Sequence, residues 1–296
     1  MSIIVVSLSG GKDSTAMLLH LVEHYGPERL IAHYQVIPAD WDETLPYVQS
    51  VCARLGVTLV AQQILYQPVG EGTGVRTLDV IDIKDKRDIV PWGLPNTIAD
   101  ITDLAMRRGW PPSPAMRWCT SYAKVRVLDR WIAGQQNAGL KLGPDVIVAL
   151  GERWGESPRR AKKVELWPRP RCQRKVYRVW NWLPVIAWSR RDVFRYLREL
   201  SIEPHPAYRS QGMSDRQMVD LDREGGPRVG CRFCIFAGSL EICHQAEMAA
   251  NRPLLRRIVD VERATGRTWW MNRSIAEYID GAHLDIPTHT QLEFSF

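Results

Sequence analysis

No apolar run in the 296 residues is long enough to span a membrane, and the short apolar start carries no basic leader, so neither a membrane protein nor a secreted one is expected. Cysteine is sparse, with six residues unevenly placed, which excludes the disulfide framework of a small extracellular domain. A soluble protein of the cytoplasm is expected, where clustered cysteines bind metal or act in redox chemistry. Internal repeats and low-complexity tracts are missing, which removes repeat arrays and linker-like segments from consideration. The pattern G-x-x-x-x-G-K-[ST] is absent too, so a kinase-like phosphate loop does not fit. Lysine is scarce beside arginine among the 39 basic side chains, and the net charge is +6. That balance suits bidentate binding of phosphate or sulfate, although genomic base composition explains any single exposed arginine equally well.

What is present is 45% apolar content in a chain long enough for one large α/β core and a smaller lobe. The most informative run is Val5-Val6-Ser7-Leu8-Ser9-Gly10-Gly11-Lys12-Asp13-Ser14, an apolar strand turning through two glycines into a helix start. Paired glycines allow positive φ and aim successive N–H groups at one anion, and the helix adds its positive dipole end. Lys12 supplies a cation, Ser9 and Ser14 supply hydroxyls, and Asp13 offers a carboxylate to hold Mg²⁺ or cap the helix. Met17, Leu18, Leu21 and Val22 make the apolar stripe of that helix, which ends at Gly26-Pro27.

Leu30 to Val36 reads as a second strand, Glu43 to Leu55 as a helix stopped by Gly56, and Val57 to Leu65 as a third strand. This β-α-β-α-β series predicts a doubly wound, mostly parallel sheet flanked by helices, with ligands at the carboxyl ends of strands. Tyr66 to Trp118 is rich in Gly and Pro turns, with a helix over Thr97 to Arg108, and is expected to be an insertion near the site. A helix from Tyr122 to Gln136 leads to a strand, Asp145 to Leu150, expected beside the first one. Lys175 to Trp188 reads as extended, and Ser189 with Asp192 caps a helix running to Leu200. Helices follow at Ser239 to Ala250, Pro253 to Thr265 and Ser274 to Ile279. Residues 1–188 are read as the α/β domain and 189–296 as a helical, cysteine-bearing region.

Three further groups carry chemistry. Cys231-Arg232-Phe233-Cys234 is a C-x-x-C turn whose sulfurs can bind one metal or cluster. Cys119, Cys243 and Cys172 are the candidates to complete it, in that order. Zinc stays open because His244 and His205 are near in sequence, whereas Cys52 on an apolar helix face reads as a buried thiol. Gly151 to Ala161 follows a buried strand, with Arg153 and Arg159 able to grip an anion and Glu156 to orient one of them. A basic run holding Arg159, Lys162, Lys163, Arg169, Arg171, Arg174, Lys175 and Arg178, with Trp167, Tyr177 and Trp180 interleaved, suits either a nucleic acid or a solvated surface.

Ser9 to Ser14 resembles the SGGKDS signature of the PP-loop, or N-type ATP pyrophosphatase, superfamily. Together with Arg117-Trp118-Cys119-Thr120 and Lys124, Gly151 to Ala161, Pro206-Ala207-Tyr208 and Gly230-Cys231-x-x-Cys234, it resembles the phosphoadenosine phosphosulfate reductase family, on the side of its phage-type and DNA phosphorothioation branch. The resemblance implies an adenine nucleotide alpha hydrolase-like fold. It implies cleavage of Mg²⁺-bound ATP to AMP and pyrophosphate, so that an acceptor is adenylated for sulfur transfer. Ser9, Gly10, Gly11, Lys12, Asp13, Ser14, Asp40, Gly151 and Glu156 would hold the nucleotide, and Lys12, Asp13, Arg153 and Arg159 would act on the anion. A 4Fe-4S cluster, in preference to zinc, would sit on Cys119, Cys231, Cys234 and Cys243. Where the reductases have a Cys-Cys pair, this sequence has Cys119-Thr120, and no cysteine follows Cys243 to attack a sulfonucleotide. A sulfonucleotide reductase and a non-catalytic nucleotide-binding module of a larger assembly are the alternatives. The expected partners are the nucleotide, a tRNA or DNA acceptor and a sulfur-donor protein.

Overall fold

β1 (Ile4–Ser7) is buried along most of its length, as the middle strand of a parallel sheet must be, and in this computed structural model the chain winds away from it in two directions. Residues 3–139, 141–170, 172–210, 228–270 and 274–278 are described. The other strands are β2 (Leu30–Gln35), β3 (Thr58–Pro68), β4 (Val75–Asp82), β5 (Asp145–Leu150), β6 (Leu166–Pro168) and β7 (Arg178–Trp182). They form one seven-stranded sheet in the order β4-β3-β2-β1-β5-β7-β6. β3, β2, β1, β5 and β7 run parallel, while β4 and β6 close the edges antiparallel. The doubly wound, mostly parallel sheet expected from the alternating pattern is therefore present. Strand order reverses between β1 and β5, and this reversal opens a crevice at their carboxyl ends. Ser7 pairs with Leu150, so the segments starting at Leu8 and Gly151 leave the sheet side by side.

The helices follow from their stripes and stops. α1 (Lys12–Tyr25) buries Met17, Leu18 and Leu21 and ends at Gly26 with φ 78°. α2 (Thr44–Leu55) ends at Gly56 with φ 67°. α3 (Ile101–Arg108) starts from Asp100, and α4 (Trp118–Thr120) passes through a wide π-type turn, Ser121–Val125, into α5 (Arg126–Asn137). α6 (Arg190–Glu199) has the Ser189 and Asp192 capping box read from the sequence. α7 (Ala207–Ser210), α8 (Ser239–Glu247) and α9 (Arg252–Thr265) complete the order.

Alternation along β1 divides the core. Ile4 and Val6 pack with α1, α2 and α6 through Met17, Val48 and Phe194, whereas Val5 packs with α5 through Leu128, Trp131 and Ile132. A third core joins α8 and α9 to α3, Trp118 and the segment after β2, using Phe233, Leu254, Ile258 and Trp269. Among the described residues, no helix is long and apolar enough to cross a membrane.

Two strands depart from the sequence expectation. β4 lies within the stretch read as turns, and β6 lies within the basic run. Both are edges with little burial, Leu78 being 48% and Leu166 53% exposed, so neither needs the apolar alternation that marks a strand. The helix expected from Tyr122 begins at Trp118, which puts Cys119 in a first helical turn. Arg171 and Ile279 lie outside the described residues.

Candidate functional site

The loop from β1 to α1 is shaped by one glycine. Gly10 has φ 75°, and a Cβ there would meet His205 and Thr44 at 3.2 Å. Gly11 has φ −69°, so the positive φ expected of the pair falls on Gly10 alone. The Ser9 and Ser14 hydroxyls lie 3.0 Å apart, and Ser14 Oγ donates to the Gly11 carbonyl at 3.0 Å. Both hydroxyls thus brace the loop. The hydroxyl of Tyr208, from α7, accepts the Lys12 backbone N–H at 3.3 Å.

Asp13 does not cap α1, and both of its oxygens are engaged by cations. Its Oδ2 takes the Lys12 ammonium at 2.6 Å, and its Oδ1 takes Arg153 Nε at 2.6 Å. Burial would raise the Asp13 carboxyl, but Lys12 and Arg153 outweigh it and hold it below the ordinary value. Burial pulls the Lys12 ammonium down, an effect that Asp13 opposes and Arg153 adds to. Arg153 is 1% exposed, so its side chain supports Asp13 from below.

Gly151 is where β5 meets this helix end. A Cβ there would lie 2.7 Å from both Cα and N of Ser14, so only glycine allows the two segments to approach. Past it, Glu156 accepts the Arg153 backbone N–H at 2.8 Å and pairs with Arg160 at 2.5 Å. Burial, and then the charge of Asp13, raise the Glu156 carboxyl. Arg159, expected to face the anion, is exposed, and its neighbour Arg160 points inward instead. The short helical turn Arg160–Lys162 decides which member of the Arg-Arg pair faces the crevice, and residue type alone does not carry that phase.

These pieces surround a cavity of about 230 Å³, lined by Ser9, Gly11, Lys12, Asp13 and Ser14 on one side and by Cys231 and Cys234 on the other. Lys124, Arg160, Tyr208 and Arg228 also reach it. Of these, Tyr208 carries a sequence signal in Pro206-Ala207-Tyr208, whereas Arg228 carries none. The thiol turn is anchored below: Arg232 donates its backbone N–H to the Ala39 carbonyl at 2.8 Å and its guanidinium to the Pro38 carbonyl at 3.1 Å. Phe233 holds φ 52° with its ring fully buried.

Cys119, Cys231, Cys234, Lys124 and Asp40 form one electrostatic neighbourhood. Asp40 sits after β2, as expected, and accepts the Tyr34 hydroxyl at 2.7 Å. Burial pushes the Cys119 and Cys231 thiols up. Cys172 belongs to the α5 core beside Asp129 and Arg169, away from this group. Cys52 is buried in the α1 core, in keeping with its place on an apolar helix face. Among the described residues, no group of three or more His, Cys, Asp or Glu side chains is arranged to hold a metal ion. Cys119, Cys231 and Cys234 share a neighbourhood, and the four-cysteine set expected for a cluster is not gathered into such a group among the described residues.

The phosphoadenosine phosphosulfate reductase domain matches residues 107–237, so over that stretch the family resemblance read from the motifs holds. The matched stretch contains Cys119, Gly151, Arg153, Tyr208, Cys231 and Cys234, and the Ser9 to Ser14 loop precedes it. A curated relative, the uncharacterized 37.8 kDa protein in the gpa 5' region of Escherichia phage 186, is 26% identical over 88% of this chain and 74% of its own. Similar solved structures include the FMN adenylyltransferase of Candida glabrata with FMN and an ATP analog, at 10% identity and a TM-score of 0.40 over 72% of this chain. The phosphoadenylyl-sulfate reductase of Candida auris in its phosphate complex is 13% identical with a TM-score of 0.40 over 71% of this chain and 79% of that one. The chain spans 55% of the length of the adenylyltransferase.

Proposed function

We propose that the crevice binds ATP and cleaves it between the α- and β-phosphates, adenylating an acceptor that then receives sulfur. The observation that carries this reading is the shared cavity, in which a glycine-turned loop at a helix start faces two thiols. The N–H groups at the start of α1 and the Lys12 ammonium take the charge that develops on the departing pyrophosphate. Asp13 holds Lys12 and Arg153 in place through its two oxygens. Mg²⁺ enters on the phosphates of the nucleotide, as part of the substrate. An acceptor oxygen attacks the α-phosphorus and pyrophosphate leaves. A persulfide of a donor protein passes its outer sulfur to one of Cys231 and Cys234, leaving the donor as a thiol; that sulfur displaces AMP from the acceptor, and the other cysteine then attacks the first, so that the S–S bond to the product breaks, a Cys231–Cys234 disulfide forms and a thiol reductant restores both thiols. A tRNA or a DNA is the proposed acceptor, and the cytoplasm the proposed compartment.

Protein incubated with α-labelled ATP, Mg²⁺ and tRNA or DNA should release AMP and pyrophosphate, and Lys12→Ala should abolish both. Release at the wild-type rate by Lys12→Ala would end this reading. A second reading has a specific observation in its favour, because the matched domain is that of the sulfonucleotide reductases and both cavity thiols lie within it. Sulfite released from phosphoadenosine phosphosulfate in the presence of thioredoxin would select it.

A further inference from the structure

Beside the cavity mouth lies an array of arginines stacked on aromatic rings. Arg126 lies 3.8 Å and Arg108 5.4 Å from the centre of Tyr122, and Arg108 also covers Trp110 at 5.3 Å and Trp118 at 5.4 Å. Next to Trp118 in the chain, Arg117 covers Phe236 at 5.4 Å, and Arg228 of the cavity wall covers the same ring at 5.5 Å. Arg108, Arg117 and Arg126 have no carboxylate partner among the described residues. Phe236 is 39% exposed. In the basic run read from the sequence, Lys163, Arg169 and Arg178 are each held by a carboxylate.

Arg117 and Arg126 each lie on one ring, which leaves their edge N–H groups for a phosphate, and cations without a carboxylate partner keep their charge for a polyanion. We infer that this array binds a single-stranded nucleic acid, with bases stacked along the Tyr122 and Phe236 edge and phosphates on Arg117 and Arg126, and leads the strand to the cavity. The inference deepens the proposed function by naming the acceptor class, and it rests on that reading only for the chemistry done on the strand once bound.

Fluorescence anisotropy with an end-labelled single-stranded DNA, an RNA of the same sequence and the corresponding duplex tests it without ATP. Single strands should bind at least tenfold more tightly than the duplex, with affinity falling as salt rises. Phe236→Ala and the pair Arg117→Glu with Arg126→Glu should each weaken single strands about tenfold or more, the scale of one lost base stack. Arg117→Lys, which keeps the charge and loses the planar stack, should fall between, and circular dichroism should show all variants folded. Lys162→Glu with Lys175→Glu, in the other basic run, should bind as the wild type does. A preference for DNA, for RNA, or for neither supports the inference and assigns the sugar. Equal binding of duplex or heparin, competition by polyglutamate as strong as by strands, or loss confined to the Lys162 and Lys175 variant would overturn it. Strand binding without AMP release would sink the ATP reading alone, and AMP release without strand binding would sink this inference alone.

Discussion

Replacing Gly151 by alanine tests whether the crevice is built by close approach of two backbones. The new Cβ would stand 2.7 Å from Ser14 Cα and N and 2.9 Å from Asp13 C, all main-chain atoms that cannot swing aside. Reaching an ordinary contact of 3.4 Å requires the end of β5 and the start of α1 to part by roughly 0.7 Å, yet the Ser7 to Leu150 pairing resists that movement. Overpacking of this kind costs about 1–3 kcal/mol, and the rigidity of both neighbours places Gly151→Ala near 3 kcal/mol. Gly134, in α5 with nothing within 4 Å of its added Cβ, supplies the control, and Gly134→Ala should stabilise by up to about 1 kcal/mol. Urea denaturation of the three proteins gives both differences, and calorimetric titration with a non-hydrolysable ATP analogue should show affinity falling for Gly151→Ala only. A Gly151→Ala protein with wild-type stability and affinity would refute the reasoning.

Asp13→Asn should cost about 3–5 kcal/mol, because it leaves Lys12 and Arg153 buried without their carboxylate. Since the folded Asp13 value is depressed, its stabilisation is complete above the unfolded value of 3.8 and is lost as pH falls through the folded one, so an acid titration of stability should lose that component in Asp13→Asn. Asp100 behaves oppositely. Burial pushes its carboxyl up to about 7, and its Oδ2 has no hydrogen-bond partner. Its contribution is present below 3.8 and disappears as pH rises through about 7, a change of roughly 4 kcal/mol. Asp100→Asn keeps a good N-cap and should flatten the stability profile between those limits, as read by thermal unfolding across pH.

The central strands are legible in the sequence because a strand buried between helices must be apolar, and the stops of α1 and α2 are legible because Gly26 and Gly56 tolerate the positive φ found there. Ser189 and Asp192 reveal the start of α6 for a similarly local reason. Arg153 is recognisable as important, but its partner lies 140 positions away, so sequence points it at a ligand where the fold points it at Asp13. Arg159 and Arg160 differ only in rotation about a short turn, and the arginine array is assembled from α3, the stretch from Arg117 to the start of α5 and the residues flanking the thiol turn, which no local pattern connects. The serine pair reads as two ligand hydroxyls because spacing does not say that they bond each other.

The anchoring of the thiol turn to Pro38 and Ala39 makes the sheet a ruler for the crevice. The glycine-turned loop hangs from β1 and the sulfurs hang, through Arg232, from the exit of β2, so the span between them is set by the pairing of Ser7 with His33. A slip of one residue in that ladder would move the thiols by about 3.3 Å against the loop. Any change in the length of β2 should therefore resize the crevice.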